Sequence, residues 1–456
     1  MRLLFALLAL APGARAAAAD DTVFLEPHFV EVDVARNDGE WIAEYTFGRP
    51  VDAWFFPRSS VTRKGEQPWR PQSWVVETPG VRLVRRGRYD VLAPARGAMP
   101  RKVRLRFQPF TADLADDYSP ALGFTDGGMA LFSAQFDVLP LRSLREAGEL
   151  PSDLNNSLFA ETHLKMRFHD GASVTEHDGE SATYTLFGPT KRVETRAVVT
   201  VFDPQLPKWI HDSLAQSVAD LLARYSAQLG PLPDGKPVVM VAWGGPTPGI
   251  VGRSGGALRG QIVMKYEGSG LLEETPAQRA EGLWFVAHEA AHFWLGQTVG
   301  YDYAREAWIT EGGADLLAVR AIAALDPAYD WRAELDRAIG DCVELSRRRG
   351  IAEARERNQH RAYYACGVVF GLVAEAASGA PFHAYVRRLV DENRADRIVS
   401  RADWFTTLDD VSRDPTLSRD IARLLDRGSP DPAALIASLF ERAGVKLAVP
   451  GRDSRD

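Results

Sequence analysis

From about residue 21 to residue 202, apolar side chains recur at every second position in short runs. Val30, Val32 and Val34 alternate with Glu31, Asp33 and Ala35. After the turn signal Asn37-Asp38-Gly39, Trp41, Ala43, Tyr45 and Phe47 again fall on one side. Val103, Leu105 and Phe107 alternate with Lys102, Arg104 and Arg106, and His177-Asp178-Gly179 reads as a further hairpin signal before a strand over 182–186. A period of two predicts half-buried strands, and a series of short ones predicts a β-sandwich with charged, solvated outer faces.

Near Pro204 the period changes. Ile210, Leu214, Val218, Leu221, Tyr225 and Leu229 share one helical face, and Gly230 supplies the stop. A short apolar strand over 236–243 follows, then a Gly/Pro-rich loop over 244–256 and a second strand over 261–266. Beyond residue 275 nearly everything has helical character. Thr275-Pro276-Ala277-Gln278 reads as a capping box with proline at the first helical position, opening a helix that runs through Trp284 to Leu295.

The first residues concern destination. Arg2 precedes the apolar run Leu3 to Leu10; Pro12 and Gly13 break it, and Ala14-Arg15-Ala16 fits a small-x-small cleavage rule. This predicts a signal peptide over 1–19 and an exported, periplasmic or secreted protein. The run is too short for a bilayer span, and no cysteine lies near the cut, so no membrane anchor is expected after cleavage.

Composition narrows the chemistry. The 456 residues carry 54 Lys+Arg against 61 Asp+Glu, a net charge of −7, which lacks the basic footprint of a nucleic-acid-binding protein. Two cysteines exclude a disulfide scaffold and any four-cysteine metal site, so a metal would need histidine and carboxylate ligands drawn from 9 histidines. Cys342 and Cys366 lie in segments of helical pattern; a bridge and two buried free thiols both fit their spacing.

His288-Glu289-Ala290-Ala291-His292 lies inside the helix opened at Thr275. Spacing of i and i+4 puts both imidazoles on one face, able to grip one metal ion. Glu289, one residue on, sits beside the metal as a general base for water. Composition alone yields such a motif in on the order of one chain in a hundred of this size, so its surroundings matter. Glu311 follows within Trp308-Ile309-Thr310-Glu311-Gly312-Gly313 and offers a third ligand, which leaves zinc one open position. The other histidines (His28, His163, His169, His177, His211, His360 and His383) are scattered, with no ligand spacing on a helix.

At these residues the chain resembles the aminopeptidase N family of gluzincin zinc metallopeptidases. The likeness rests on HExxH, the spacing to Glu311, Trp294 after the second histidine, and the W-x-x-E-G around Glu311. Tyr364-Ala365-Cys366-Gly367 resembles the family's Tyr-x-x-Gly. The resemblance covers about 205–445 and implies an α+β multidomain fold. A β-sandwich-like domain over 20–202 would precede a thermolysin-like catalytic domain, with its zinc-binding part over 203–325 and a mostly helical part and tail over 326–456. It implies one zinc held by His288, His292 and Glu311, Glu289 as base, and Tyr364, or adjacent Tyr363, as donor to the oxyanion. Glu306 would orient a ligand histidine or be a solvated helix charge. Substrates would be peptides or proteins.

One departure stands out. The family carries Gly-x-Met-Glu-Asn before the zinc helix, and its glutamate binds the substrate's N-terminal amine. Here the match is Gly255-Gly256-Ala257-Leu258-Arg259, without that carboxylate. Glu267, Glu273 or Glu274 could substitute. The expectation is therefore a zinc metallopeptidase with altered N-terminal recognition, and the alternative is a catalytically inactive binding protein on the same fold. Gly252-Arg253-Ser254-Gly255-Gly256 also fits the serine-hydrolase pattern G-x-S-x-G, but lacks the strand-to-helix context that pattern needs.

Overall fold

A computed structural model describes residues 28–450, apart from 38, 116, 151–161, 179–181, 233 and 302. The expected signal segment lies outside these residues.

The first strands are β1 (His28–Asn37), β2 (Glu40–Phe47), β3 (Ala53–Phe56), β4 (Trp74–Val76), β5 (Val81–Arg86), β6 (Tyr89–Pro94) and β7 (Lys102–Phe107). Next come β8 (Ala121–Gly123), β9 (Met129–Phe132), β10 (Leu139–Leu141), β11 (Thr162–Asp170), β12 (Ser173–Asp178) and β13 (Tyr184–Phe187). Six of them form a sheet in the order β12-β11-β1-β2-β7-β4, four form β10-β3-β6-β5, and three form β13-β9-β8. The alternation along β1 and β2 works as expected. Val32 lies opposite Tyr45 and Val34 opposite Ala43, and all four are fully buried in a core that also takes Trp54, Phe56 and Leu92 from the facing sheet.

The second hairpin signal behaves differently. β12 pairs back onto β11, whereas β13 pairs with β9. All four β13 side chains are buried, so that strand cannot be a hairpin arm with one wet face. Part of the 177–179 signal lies outside the described residues.

The third region starts with β14 (Arg192–Glu194) and β15 (Val199–Phe202). Helix α1 (Lys208–Leu229) crosses to β16 (Val238–Trp243), then β17 (Gly252–Leu258) and β18 (Gln261–Glu267) complete a sheet in the order β14-β15-β16-β18-β17. β15, β16 and β18 are parallel, while β17 runs antiparallel at the edge. The six apolar residues named for α1 are all buried, as a helix packed onto a sheet requires. Eight helices follow among the described residues: α2 (Pro276–Ala291), α3 (Ala307–Leu325), α4 (Trp331–Leu345), α5 (Arg361–Ser378), α6 (Phe382–Glu392), α7 (Arg401–Ser412), α8 (Pro415–Arg427) and α9 (Pro432–Ala443). A mixed α+β architecture, sheet-rich first and helical second, is the result. No single helix among the described residues is long and apolar enough to cross a membrane.

Two contacts in the helical half position the site. α3 and α5 touch backbone to backbone. A Cβ at Gly367 would lie 2.3 Å from the Trp308 carbonyl oxygen, and one at Gly312 would lie 2.3 Å from Gly367 Cα. The two glycines let these helices approach, which brings Glu311 beside Tyr364. Cys342 and Cys366, both fully buried, are joined as a disulfide with Cα atoms 4.8 Å apart. The bridge ties α4 to α5 two residues from Tyr364, and closing a loop of that length stabilises by about 3 kcal/mol in the chain-entropy account.

Candidate metal centre

Thr275 caps α2 by accepting a hydrogen bond from Gln278 N at 3.2 Å. The Gln278 side chain does not return the bond; it donates to Gly270 O, so only half of the expected capping box forms. The helix also ends earlier than the pattern predicts, at Ala291. Past Ala291 the chain continues in turns, with Trp294 N donating to Ala291 O and Gln297 N to His292 O, up to Gly296, whose φ of +141° is open to glycine and strained for other residues.

His288 and His292 converge as the i, i+4 spacing predicts. Their Nε2 atoms are 3.0 Å apart, and Glu311 Oε2 lies 3.5 Å from each. Three atoms at these separations share a centre about 2 Å from each, the reach of zinc to imidazole nitrogen and carboxylate oxygen. The far ring nitrogens point to acceptors. His292 Nδ1 is 2.9 Å from Leu295 O. His288 Nδ1 is 2.7 Å from Asp315 Oδ1, an ion-pair contact set off the line of a well-formed hydrogen bond. The Leu295 carbonyl favours the His292 proton on Nδ1 and leaves its Nε2 facing the gap, and the Asp315 carboxylate beside His288 Nδ1 favours the same tautomer there, as metal-ligating histidines require. The residues therefore fit a zinc ion. Among the described residues no other group of three or more His, Cys, Asp or Glu converges in this way.

Electrostatics agree with a cation at that point. Burial alone would push the His288 imidazole down, but Asp315 and Glu311 outweigh it and raise its pKa to about 10. Burial works to raise Glu311, yet the two imidazoles hold it well below the usual carboxylate range. Two carboxylates on two imidazoles thus favour positive charge, either a proton or a divalent ion.

Glu289 is buried and lines the cavity of about 390 Å³ that opens on the three ligands. Tyr364 lines it too, with its ring stacked on His288 at 5.8 Å. Burial, and then the Glu311 charge, push its hydroxyl well above the usual tyrosine value, so it keeps its proton and remains a donor. Tyr363 points elsewhere: its hydroxyl donates to Ala352 O and accepts from Arg355 N, both at 3.2 Å.

Several expectations need correction. Glu306 neither orients a histidine nor sits in solvent. It is buried, and its Oε1 accepts from Arg401 N at 3.4 Å. The carboxylate that does lie beside a ligand histidine is Asp315, 2.7 Å from His288 Nδ1 and one i+4 step from Glu311 along α3. None of the proposed substitutes for the amine-binding carboxylate lines the cavity. Glu267 holds Thr247 and Lys265, Glu274 pairs with Arg279, and Glu273 is exposed. Leu258 is buried in an apolar cluster, and Arg259 turns away to Asp234 at 3.2 Å. Ser254 lies within a seven-residue strand opposite Lys265, not on the strand-to-helix turn of a nucleophile elbow. Tyr118 and Tyr301 line the cavity without any signal in the sequence.

No family model matches the sequence, and no curated protein matches it. Solved structures do match. An aminopeptidase N family protein from Idiomarina loihiensis aligns with a TM-score of 0.62 at 11% identity, covering 90% of this chain and 78% of that one. A glutamate-to-alanine variant of a two-domain M1 zinc metallopeptidase, bound to L-tryptophan, aligns with a TM-score of 0.50 at 14% identity, covering 89% and 94%. The fold is the one these M1 proteins share. At such identities the likeness establishes architecture, and the chemistry rests on the residues above.

Replacing Asp315 by asparagine is expected to weaken zinc binding by about 10- to 100-fold, since such outer partners set the orientation and basicity of the ligand. Competition against a chromophoric chelator measures it; unchanged affinity would remove Asp315 from this role.

Proposed function

We propose that this protein is an exported zinc-dependent metallopeptidase that hydrolyses peptide bonds without a carboxylate anchor for the substrate's N-terminal amine. The carrying observation is the inventory of the cavity. Two histidines and Glu311 converge for one ion, Glu289 stands beside them, and these two glutamates are the only carboxylates among the described residues that line it. One is committed to the metal and the other to the base, so among the described residues none remains to pair an ammonium group. The disulfide supports the export reading, because such bonds persist in oxidising compartments.

His288, His292 and Glu311 would hold zinc, which when bound supplies a Lewis acid able to bring the pKa of water to about 7. Glu289 takes the proton from the attacking water and passes it to the leaving amine nitrogen. The Tyr364 hydroxyl donates a hydrogen bond to the carbonyl oxygen as negative charge builds there. Burial of His288 and Glu289 lowers the local dielectric and strengthens both interactions.

The expected result is that N-acetylated peptides are cleaved with kcat/KM within about tenfold of their free-amine counterparts, because losing an ion-paired ammonium elsewhere costs more than the 1.4 kcal/mol that tenfold represents. A strong preference for free-amine dipeptide amides, measured on matched pairs, would defeat the recognition part of the reading. Zinc in the protein with no turnover across a broad peptide panel would favour the non-catalytic alternative.

A further inference from the structure

Two cavities meet along β17. The one at the metal cluster is lined by Gly255, Gly256 and Ala257. A second, of about 380 Å³, is lined by Ser254 and Gly255 of the same strand, together with Arg58, Arg63, Asp117 and Lys265. Tyr118 lines both and divides them. Its ring packs against Phe132 at 5.4 Å, and its hydroxyl donates to Ala257 O at 3.1 Å.

The strand is built for this arrangement. A Cβ at Gly256 would lie 2.4 Å from the Tyr118 hydroxyl, and one at Gly255 would lie 2.1 Å from Val263 O. Where the cavities join, β17 therefore presents bare backbone. It is also the last strand of its sheet, and an edge strand's unpaired N–H and C=O groups are a template for an extended peptide. At about 3.3 Å per residue, Ser254 lies about 10 Å along the strand from Ala257. A peptide laid on β17 from the metal cluster would enter the second cavity two to three residues from the scissile bond.

The charges define what it would meet there. Arg58 is paired with Asp117 at 2.6 Å. Lys265 lies 3.6 Å from Asp113 and 3.4 Å from Glu267. Arg63 is exposed at the rim and has no ion-pair partner among the described residues.

We propose that this second cavity is a subsite for one flank of an extended peptide, two to three residues from the cleaved bond, that it favours an acidic side chain, and that Tyr118 is the gate between it and the metal cavity. The proposal rests on the peptidase reading. Tyr118 gives up one neutral hydrogen bond, the one to Ala257 O, when the peptide takes the edge.

Mass-spectrometric mapping of cleavage in a peptide library tests it, using wild type, Arg63→Glu and Ser254→Trp. The wild type should enrich Asp or Glu at one position on one flank. Arg63→Glu should cut that enrichment about fivefold, as for a partly exposed charge pair. Ser254→Trp, which fills the cavity, should lower kcat/KM about tenfold for peptides that extend past this position and leave shorter ones unchanged. Cleavage that Glu289→Gln abolishes, but whose profile is the same in wild type and both cavity variants, would overturn the subsite and spare the peptidase reading. Binding reads the subsite without turnover. On Glu289→Gln protein, a fluorescein-labelled acidic nonapeptide should bind more tightly than its all-alanine counterpart, and Arg63→Glu should erase the difference. Equal affinities in the Glu289→Gln background would overturn the proposal even if no substrate is ever found, and would leave the metal site untouched.

Discussion

Replacing Glu289 by glutamine lowers kcat on a cleaved peptide by about a thousandfold, the middle of the range for loss of a positioned general base. Zinc content stays at one ion per chain. Glu289 lies next to His288 in sequence, yet the converging ligand atoms belong to His288, His292 and Glu311. Its side chain is buried and borders the cavity, where a water between it and the ion is within reach. Glutamine keeps the volume and removes only the capacity to accept a proton, so neither fold nor metal should respond. Steady-state kinetics and metal analysis on one preparation check both halves. A variant that keeps more than about a tenth of the wild-type rate would mean that another group takes the proton.

Arg70→Leu destabilises the β-rich region by about 3 kcal/mol, the scale for breaking a buried ion pair from one side. Arg70 is fully buried. It donates to Asp90 Oδ2 at 2.9 Å, to Arg58 O at 2.9 Å, and to both the backbone and side-chain oxygens of Gln135 at 2.9 and 3.0 Å. Its guanidinium also lies 4.2 Å from the Phe56 ring centre and 4.5 Å from that of Trp69. Leucine fills part of the space but leaves Asp90 with Arg85 as its one cationic partner among the described residues and removes the Arg70 donor from Gln135. The effect reaches the cleft, because Gln135 contacts Asp117 at 3.3 Å and Tyr118 O at 3.5 Å. Urea unfolding measures the loss as a lowered midpoint at unchanged slope. An unmoved midpoint would show that the pair carries no net stabilisation.

How far the site was legible depends on the distance over which each contact is made. The histidines share a helix turn, so periodicity alone brought them together. Glu311 was readable through its flanks, and the glycine in those flanks turns out to be what lets α3 meet α5. Asp315 is equally local, one helical turn past Glu311, and both it and Glu306 lie within five residues of Glu311. What sent Glu306 elsewhere is Arg401, 95 positions away, and no spacing rule reaches that far. Tyr118 is 139 positions from the carbonyl it caps and has no sequence signature. The same contrast holds for the fold. The alternation in β1 and β2 announces their faces, but β13 is buried on both sides, with Phe187 in one core and Tyr184 and Leu186 in another, and its pairing with β9 leaves no such pattern. Cys342 and Cys366 are a third case: bonding needs Cα atoms within about 7 Å, a condition that only the packing of α4 on α5 could meet.

The central claim is that one zinc ion at His288, His292 and Glu311 makes the protein a hydrolase. The direct measurement is to strip the purified protein with a chelator, titrate zinc back, and follow hydrolysis of an N-acetylated peptide in parallel with bound metal. The account predicts that activity vanishes on stripping and returns in proportion to zinc up to one ion per chain, and that Glu311→Gln neither retains the ion nor recovers activity. Hydrolysis that persists in the stripped protein, or that returns fully in Glu311→Gln, would contradict it.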